Sequence, residues 1–399
     1  MVNYDFLSVY FYSVPNLRFP YKGDWHKRKL NEICLFFKGN GLSKSDLSNE
    51  GFPCILYGEL YTTYKNEVIS DIVSKTTTTL SNPFLSKNND LIIPGSGEDP
   101  IDIAVARAIY QNDIILGGDL NVLRPKSNVS AAFLSYQLNG VRRYDIAKKA
   151  QGKSIVHLHN SDLKEVCVSI PTYDEQLHIV KLLTKIDEMI ETQSKIIEEY
   201  VILKNSLIHR FFTMDNPKVK LSTILTEINI KNKNKQIDTV LSVSNKLGFI
   251  KQSEQFEDRE VASDDTSNYK IVNKGDYAYN PARINVGSIA RLINYDKGII
   301  SPMYSCFKIN EKKITYTYFD MFLSSFSFKR QLNKKLEGSV RQCLTFEGML
   351  SMDIELPCIE TQKSISNKID MLNYKIKLES DYREALIKQK QFLLNNMFI

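Results

Sequence analysis

The stretch PTYDEQLHIVKLLTKIDEMIETQSKIIEEYVILKNSLIHRFF, residues 171–212, returns at the end of the chain as PCIETQKSISNKIDMLNYKIKLESDYREALIKQKQFLLNNMFI, residues 357–399. Pro171 pairs with Pro357, Gln176 with Gln362, Lys204 with Lys390 and Phe212 with Phe398, each 186 residues apart and with no gap. The same interval carries back to Gly152 and Gly338, and to Lys148-Lys149 and Lys334-Lys335. A match at one fixed interval marks an internal duplication, so the chain is read as two copies of one plan. In the first copy Ile179, Leu183, Ile186, Ile190, Ile197 and Leu207 recur at spacings of three, four or their sums. Ile365, Ile369, Leu372, Ile376, Leu386 and Leu393 do so in the second, and this is the period of a helix face. Neither stretch contains Gly or Pro from about 174 through 213 or about 360 through 399, so each is expected to be one unbroken helix. A helix of about 38 residues is a rod of roughly 57 Å, longer than a small domain needs to cover its core, and such rods are expected to pair with each other. Gln193, Lys204, Glu379, Arg383 and Lys390 interrupt the stripes, either fixing register or facing water.

The fronts of the two copies match loosely. Leu30-Asn31-Glu32-Ile33 echoes Leu225-Thr226-Glu227-Ile228 at a different interval, 195. Short apolar strand candidates (Cys54 to Leu56, Leu91 to Ile93, Ile114 to Leu116, Ile155 to Leu158, Val166 to Ile170) lie among loops and brief helices. The helix candidates are Ala131 to Leu138 and Tyr144 to Ala150, with Tyr318 to Ser325 and Lys329 to Leu336 in the second copy. The expected fold is therefore two compact α/β (α+β) domains separated by two long helices that form a coiled coil. The expected segments are an N-terminal arm 1–24, a first mixed domain 25–171, a central long helix 172–214, a second mixed domain 215–357 and a terminal long helix 358–399. Met214-Asp215-Asn216-Pro217 reads as the boundary after the first helix, because Pro stops a helix and turn formers precede it.

A length of 399 residues fits two domains, and 43% hydrophobic with 25% charged residues fits a folded, non-membrane chain. No apolar run nears the roughly 18 residues of a membrane span, and the aromatic opening stretch with Asp5 reads poorly as a secretory leader, so a cytoplasmic location is expected. The six cysteines are scattered with no CxxC pair, and no metal site is expected. His157 and His159 would share one face of a strand and are read as surface or interface residues.

The formal charge is +6, and residues 122–153 alone carry seven Lys/Arg against one Asp. Arg124, Lys126, Arg142, Arg143, Lys148, Lys149 and Lys153 are thus candidates for holding a polyanion, with a solvated helix face as the alternative. Lys329, Arg330, Lys334, Lys335, Arg341 and Gln342 are the second-copy candidates. Asn280, Arg283 and Asn285 carry side chains that clasp adenine or guanine edges, although Asn-Pro also simply makes a turn.

Two motifs mislead. AKKAQGKS, 147–154, matches a permissive phosphate-binding loop, yet a helix-like segment precedes it and a strand-like one follows, the reverse of what that loop requires. Asn280-Pro281 faintly echoes a base-holding methyltransferase motif but lacks its second Pro and its aromatic. With no paired-carboxylate, metal or Ser/His/Asp constellation either, no catalytic residue is expected.

VPNLRFPYKGDWHKRKLNEI (14–33), NDLIIPGSGEDPIDIAVARAI (89–109) and NDIILGGDLNVLRPK (112–126) resemble the first target-recognition domain of type I restriction-modification specificity subunits. NKGDYAYNPARINVGSIA (273–290), GIISPMYSCFKIN (298–310) and EGSVRQCLTFEGMLSMDIELPCIETQKSI (337–365) resemble the second more strongly. The resemblance runs from residue 14 to the end. It implies that each mixed domain reads one half of a bipartite double-stranded DNA site, and that the helices run antiparallel, set the spacing and dock two modification subunits. It also implies that this subunit is not an enzyme and binds no cofactor. S-adenosylmethionine for adenine methylation, and ATP and Mg for translocation and cutting, would belong to the modification subunits and the restriction/translocase subunits. One departure stands out: Thr361 replaces the acidic residue that Glu175 supplies before Gln176, which weakens the expected pairing with the second helix dipole. Two other classes compete, a self-contained methyltransferase or endonuclease and a coiled-coil scaffold without DNA contacts. The missing cofactor motifs argue against the first, and the concentrated basic segments against the second.

Overall fold

The computed structural model describes residues 14–212, 216–245, 247–255, 265–337 and 342–399. It has two compact units, one of Met1–Lys195 with Ser380–Ile399 and one of Ile196–Glu379.

In the first unit, a five-stranded sheet runs in the order Cys34–Lys38, Leu120–Pro125, Asp90–Pro94, Arg107–Ile109, Val68–Ile69, antiparallel except for the last pair. Both of its faces are covered, which is why its strands read as apolar runs without alternation. Leu91, Ile93 and Leu123 pack under the helix Ala131–Asn139, whose Leu134 and Leu138 meet them. Ile92, Leu120 and Val122 face the opposite way, toward Ile55 and Leu116. Ser130 caps that helix by accepting the Phe133 amide.

The second unit repeats the plan around aromatic residues. Its antiparallel sheet runs Leu225–Ile228, Ser305–Ile309, Tyr277–Tyr279, Ile289–Arg291. Leu91 opposite Leu123 in the first unit corresponds to Tyr277 opposite Phe307 in the second. There the two rings stack at 5.2 Å, and Phe319 meets Tyr277 edge-on. Phe319 belongs to the helix Tyr316–Ser324, capped by Thr315. A second helix, Phe326–Lys335, follows directly.

The long helices are Tyr173–Phe211 and Ile359–Asn396, each unbroken as the spacing predicts. Each of them belongs partly to one unit and partly to the other. Within the first unit, Ile179, Leu183 and Ile186 are buried with Leu393, Met397 and Phe398. Within the second, Leu207, Ile208 and Phe212 pack with Ile365, Ile369 and Leu372. Ile190 packs against the first of these clusters, and Leu386 is buried. Ile197 and Ile376 are half-buried. The expected arm is also part of the first unit: Arg18 holds the Glu175 carboxylate through two bonds of 2.7 Å, and Leu17 donates its amide to the Asn396 carbonyl.

The expected strands appear at Phe52–Ile55, Asp90–Pro94, Ile115–Leu116, Val156–His157 and Cys167–Ile170. Of the expected boundary 214–217, Met214 and Asp215 lie outside the described residues.

Candidate nucleic-acid interface

In the first unit, the short helix Arg143–Ala147 runs into Lys148 and Lys149 and then a hairpin of Gln151–Gly152 and Val156–His157. Gly152 sits at φ 135°, and a Cβ there would lie 2.0 Å from the Ile155 carbonyl oxygen, so only glycine closes this turn. Helix first and strand second is the order that argues against a phosphate-binding loop. Lys148 and Lys153 are exposed and Lys149 is half-buried. His157 and His159, both exposed, stack in parallel at 6.1 Å beside them, on one face as strand alternation predicts.

The other first-copy candidates are engaged elsewhere. Arg124 makes a two-pronged bond to Asp90 at 2.7 and 2.8 Å and lies over the Phe37 ring. Asp90 is fully buried, so Arg124 neutralises an interior carboxylate, a role the charge count could not reveal. The Asp90 hydrogen bond also raises the Arg124 pKa. Arg142 donates to the Ile399 carbonyl at 3.0 Å and pairs with Asp145. Arg143 donates to the Ile101 carbonyl. Lys126 is exposed but rests on the Glu32 carbonyl at 2.7 Å.

In the second unit the candidates converge. Lys329, Arg330, Lys334 and Lys335 are exposed on the helix Phe326–Lys335. Gln331 on its inner side holds both backbone groups of Asp353 at 2.8 Å. This helix packs against the turn Ile284–Val286, which carries Arg283 and Asn285 outward and is ended by Gly287 at φ 93°. Glu337 and Cys343 form a two-bond bridge, and the Leu344 amide bonds the Pro281 carbonyl at 3.0 Å, which ties exposed Gln342 to the same turn. Arg341 and Gly338 lie outside the described residues. Asn280 is a correction: it is buried, and its side-chain oxygen accepts the Ala282 amide, so it builds the turn instead of reaching outward.

Sequence reasoning saw the Pro-then-Gln junction repeat but not its purpose. Gln176, fully buried, accepts the Ser130 amide and donates to the Pro171 and Asn128 carbonyls. Gln362 accepts the Thr315 amide and donates to the Pro357 and Lys313 carbonyls. Each glutamine thus latches the start of a long helix to the capped helix of its own domain. Glu175 likewise does not serve chiefly the helix dipole; Arg18 and the Trp25 indole take its oxygens.

A second network was also missed. Lys390 lies 2.6 Å from both Glu67 and Asp187, and Tyr136 donates to Asp187 at 2.6 Å. Burial holds Asp187 above the ordinary aspartate range while Lys390 pulls it back, and the two carboxylates raise Lys390 despite its own burial. The repeat of lysine at positions 204 and 390 was the available signal; the carboxylates had none.

Residues 22–199 match the family of the type I restriction modification DNA specificity domain. Among the relatives of this chain, the type I restriction enzyme MjaVIII specificity subunit of Methanocaldococcus jannaschii is 21% identical over 93% of this chain and 91% of its own length. The crystal structure of the S subunit from M. genitalium covers 97% of this chain and 99% of its own, at a TM-score of 0.61 and 15% identity. A chain from a structural study of complex assembly and conformational transition in the type I restriction-modification system covers 94% and 98%, at a TM-score of 0.58 and 14% identity. These two likenesses establish a shared fold along nearly the whole chain. Among the described residues, no helix is long and apolar enough to cross a membrane, and no group of three or more His, Cys, Asp and Glu is placed to hold a metal.

Proposed function

We propose that this chain is a specificity subunit whose two mixed domains each read one half of a bipartite double-stranded DNA site, while the long helices set the gap and dock two modification subunits, with restriction/translocase subunits joining them. The chain supplies an address and no chemistry of its own. What supports this reading most is the convergence in the second unit of an outward Arg283 and Asn285 turn with Gln342 and four exposed cations on one helix. Cations hold phosphates and set register, and the turn side chains reach base edges. In the first unit, Lys148, Lys149 and Lys153 around the Gly152 hairpin take the phosphate role.

Changing Lys148, Lys149, Lys334 and Lys335 to Ala tests the division of labour. Binding should weaken for all duplex sequences alike, and the salt slope should become shallower by about 0.9 for each phosphate that a lysine no longer neutralises. A changed sequence preference with an unchanged slope would refute it.

A further inference from the structure

A cleft of about 590 Å³ opens in the first unit beside the strand Arg107–Ile109, and its charged lining is lopsided. Lys65, Arg107, Arg143 and Lys390 face Glu67 and Asp102 there. Lys390 is already matched by Glu67 and Asp187, which leaves three cations to one exposed aspartate.

Arg107 is the unusual member. It is 6% exposed, and its Nε donates to the Leu60 carbonyl at 3.1 Å. Its two terminal nitrogens meet no acceptor among the described residues, because Glu67, the strongest attraction on it, is bonded to Lys390 and Asn139. Burial, with Arg143 as a like-charged neighbour, lowers its pKa against that attraction. Arg143 has a buried Nε without an acceptor as well. The Arg107 side chain is held among buried groups while its terminal nitrogens open on the cleft, and the guanidinium fork fits the oxygens of an anion. The cleft has the size of a small-ligand site, and Tyr61 and Tyr144 add aromatic surface to its wall.

We infer that this cleft binds a small phosphorylated ligand, whose oxygens take the open donors of Arg107 and Arg143 with Lys65 as a further cation. The site is separate from the base-reading turns and does not depend on how the two domains read DNA.

Calorimetric titration of the full chain with pyrophosphate, AMP and ATP tests the site, with a short DNA duplex as competitor. Saturable binding is expected, weakened about tenfold or more by Arg143→Gln and about threefold by Lys65→Ala at unchanged melting temperature. Arg107→Gln should abolish it, and because Arg107 is buried that variant is judged beside the other two. Pyrophosphate that stays bound in the presence of duplex upholds a small-ligand site, whereas its displacement by duplex assigns the cleft to a DNA backbone and overturns the proposal. No saturable binding of any phosphorylated probe, or binding indifferent to Arg143→Gln and Lys65→Ala, overturns it.

Discussion

Lys390 in the first unit lies between two carboxylates at 2.6 Å, whereas its repeat counterpart Lys204 in the second meets the Asn373 side-chain oxygen at 3.2 Å. Asn373 stands 186 residues after Asp187. Met321 stands where the cap alignment of Ser130 with Thr315 places Tyr136. The glutamine latches, by contrast, bond the same kinds of partner in both units. The duplication has therefore kept the neutral hydrogen bonds that join helix to domain and let the charges diverge. The third member of the ion network, Glu67, comes from the loosely matched front of the first copy, so that helix seam depends on its own front in a way the second does not.

Replacing the two lysines by Met should separate the seams most sharply. Lys390→Met leaves Asp187 and Glu67 buried without their cation and should cost about 3–5 kcal/mol. Lys204→Met removes one hydrogen bond to an amide and should cost about 1 kcal/mol or less. Denaturant unfolding reads both, and equal costs would erase the distinction. The Lys390 seam should also respond to pH. The folded state binds the Asp187 proton more tightly than the unfolded chain, because its pKa is raised. Stability from this group is therefore full below the ordinary aspartate range and falls as pH rises through the raised value. Without Lys390 that fall should extend to higher pH.

The latches make the opposite forecast. Gln176→Ala and Gln362→Ala each strand a backbone amide and two carbonyls, and each should destabilise by about 1–3 kcal/mol, the two alike. Thermal melts in which one variant is silent would show that the junctions are not equivalent.

The long helices and the duplication were legible because they rest on period and fixed interval, both readable from the sequence alone. The basic segment 122–153 was legible only as a sum. Arg124 finds Asp90, 34 residues earlier, across adjacent strands, and Arg142 finds the last carbonyl of the chain. Partners fixed by sheet pairing and chain return leave no mark on local charge. The sequence around Asn280 admits both a turn and a base-reading side chain, and the buried turn is the one the chain adopts. The two latches show a middle case, in which the repeat marked the residues and the structure supplied the reason.

The most direct test of two separate reading surfaces is to map methylated DNA from cells that carry this chain with the modification subunits proposed for it, comparing the native chain with Arg283→Ala. Arg283 is exposed on its turn, so the variant should keep its fold. The account predicts a two-part motif in which one part loses or changes bases, while the other part and the gap between them stay as they were. Changes in both parts, a changed gap, or a single undivided motif would contradict it.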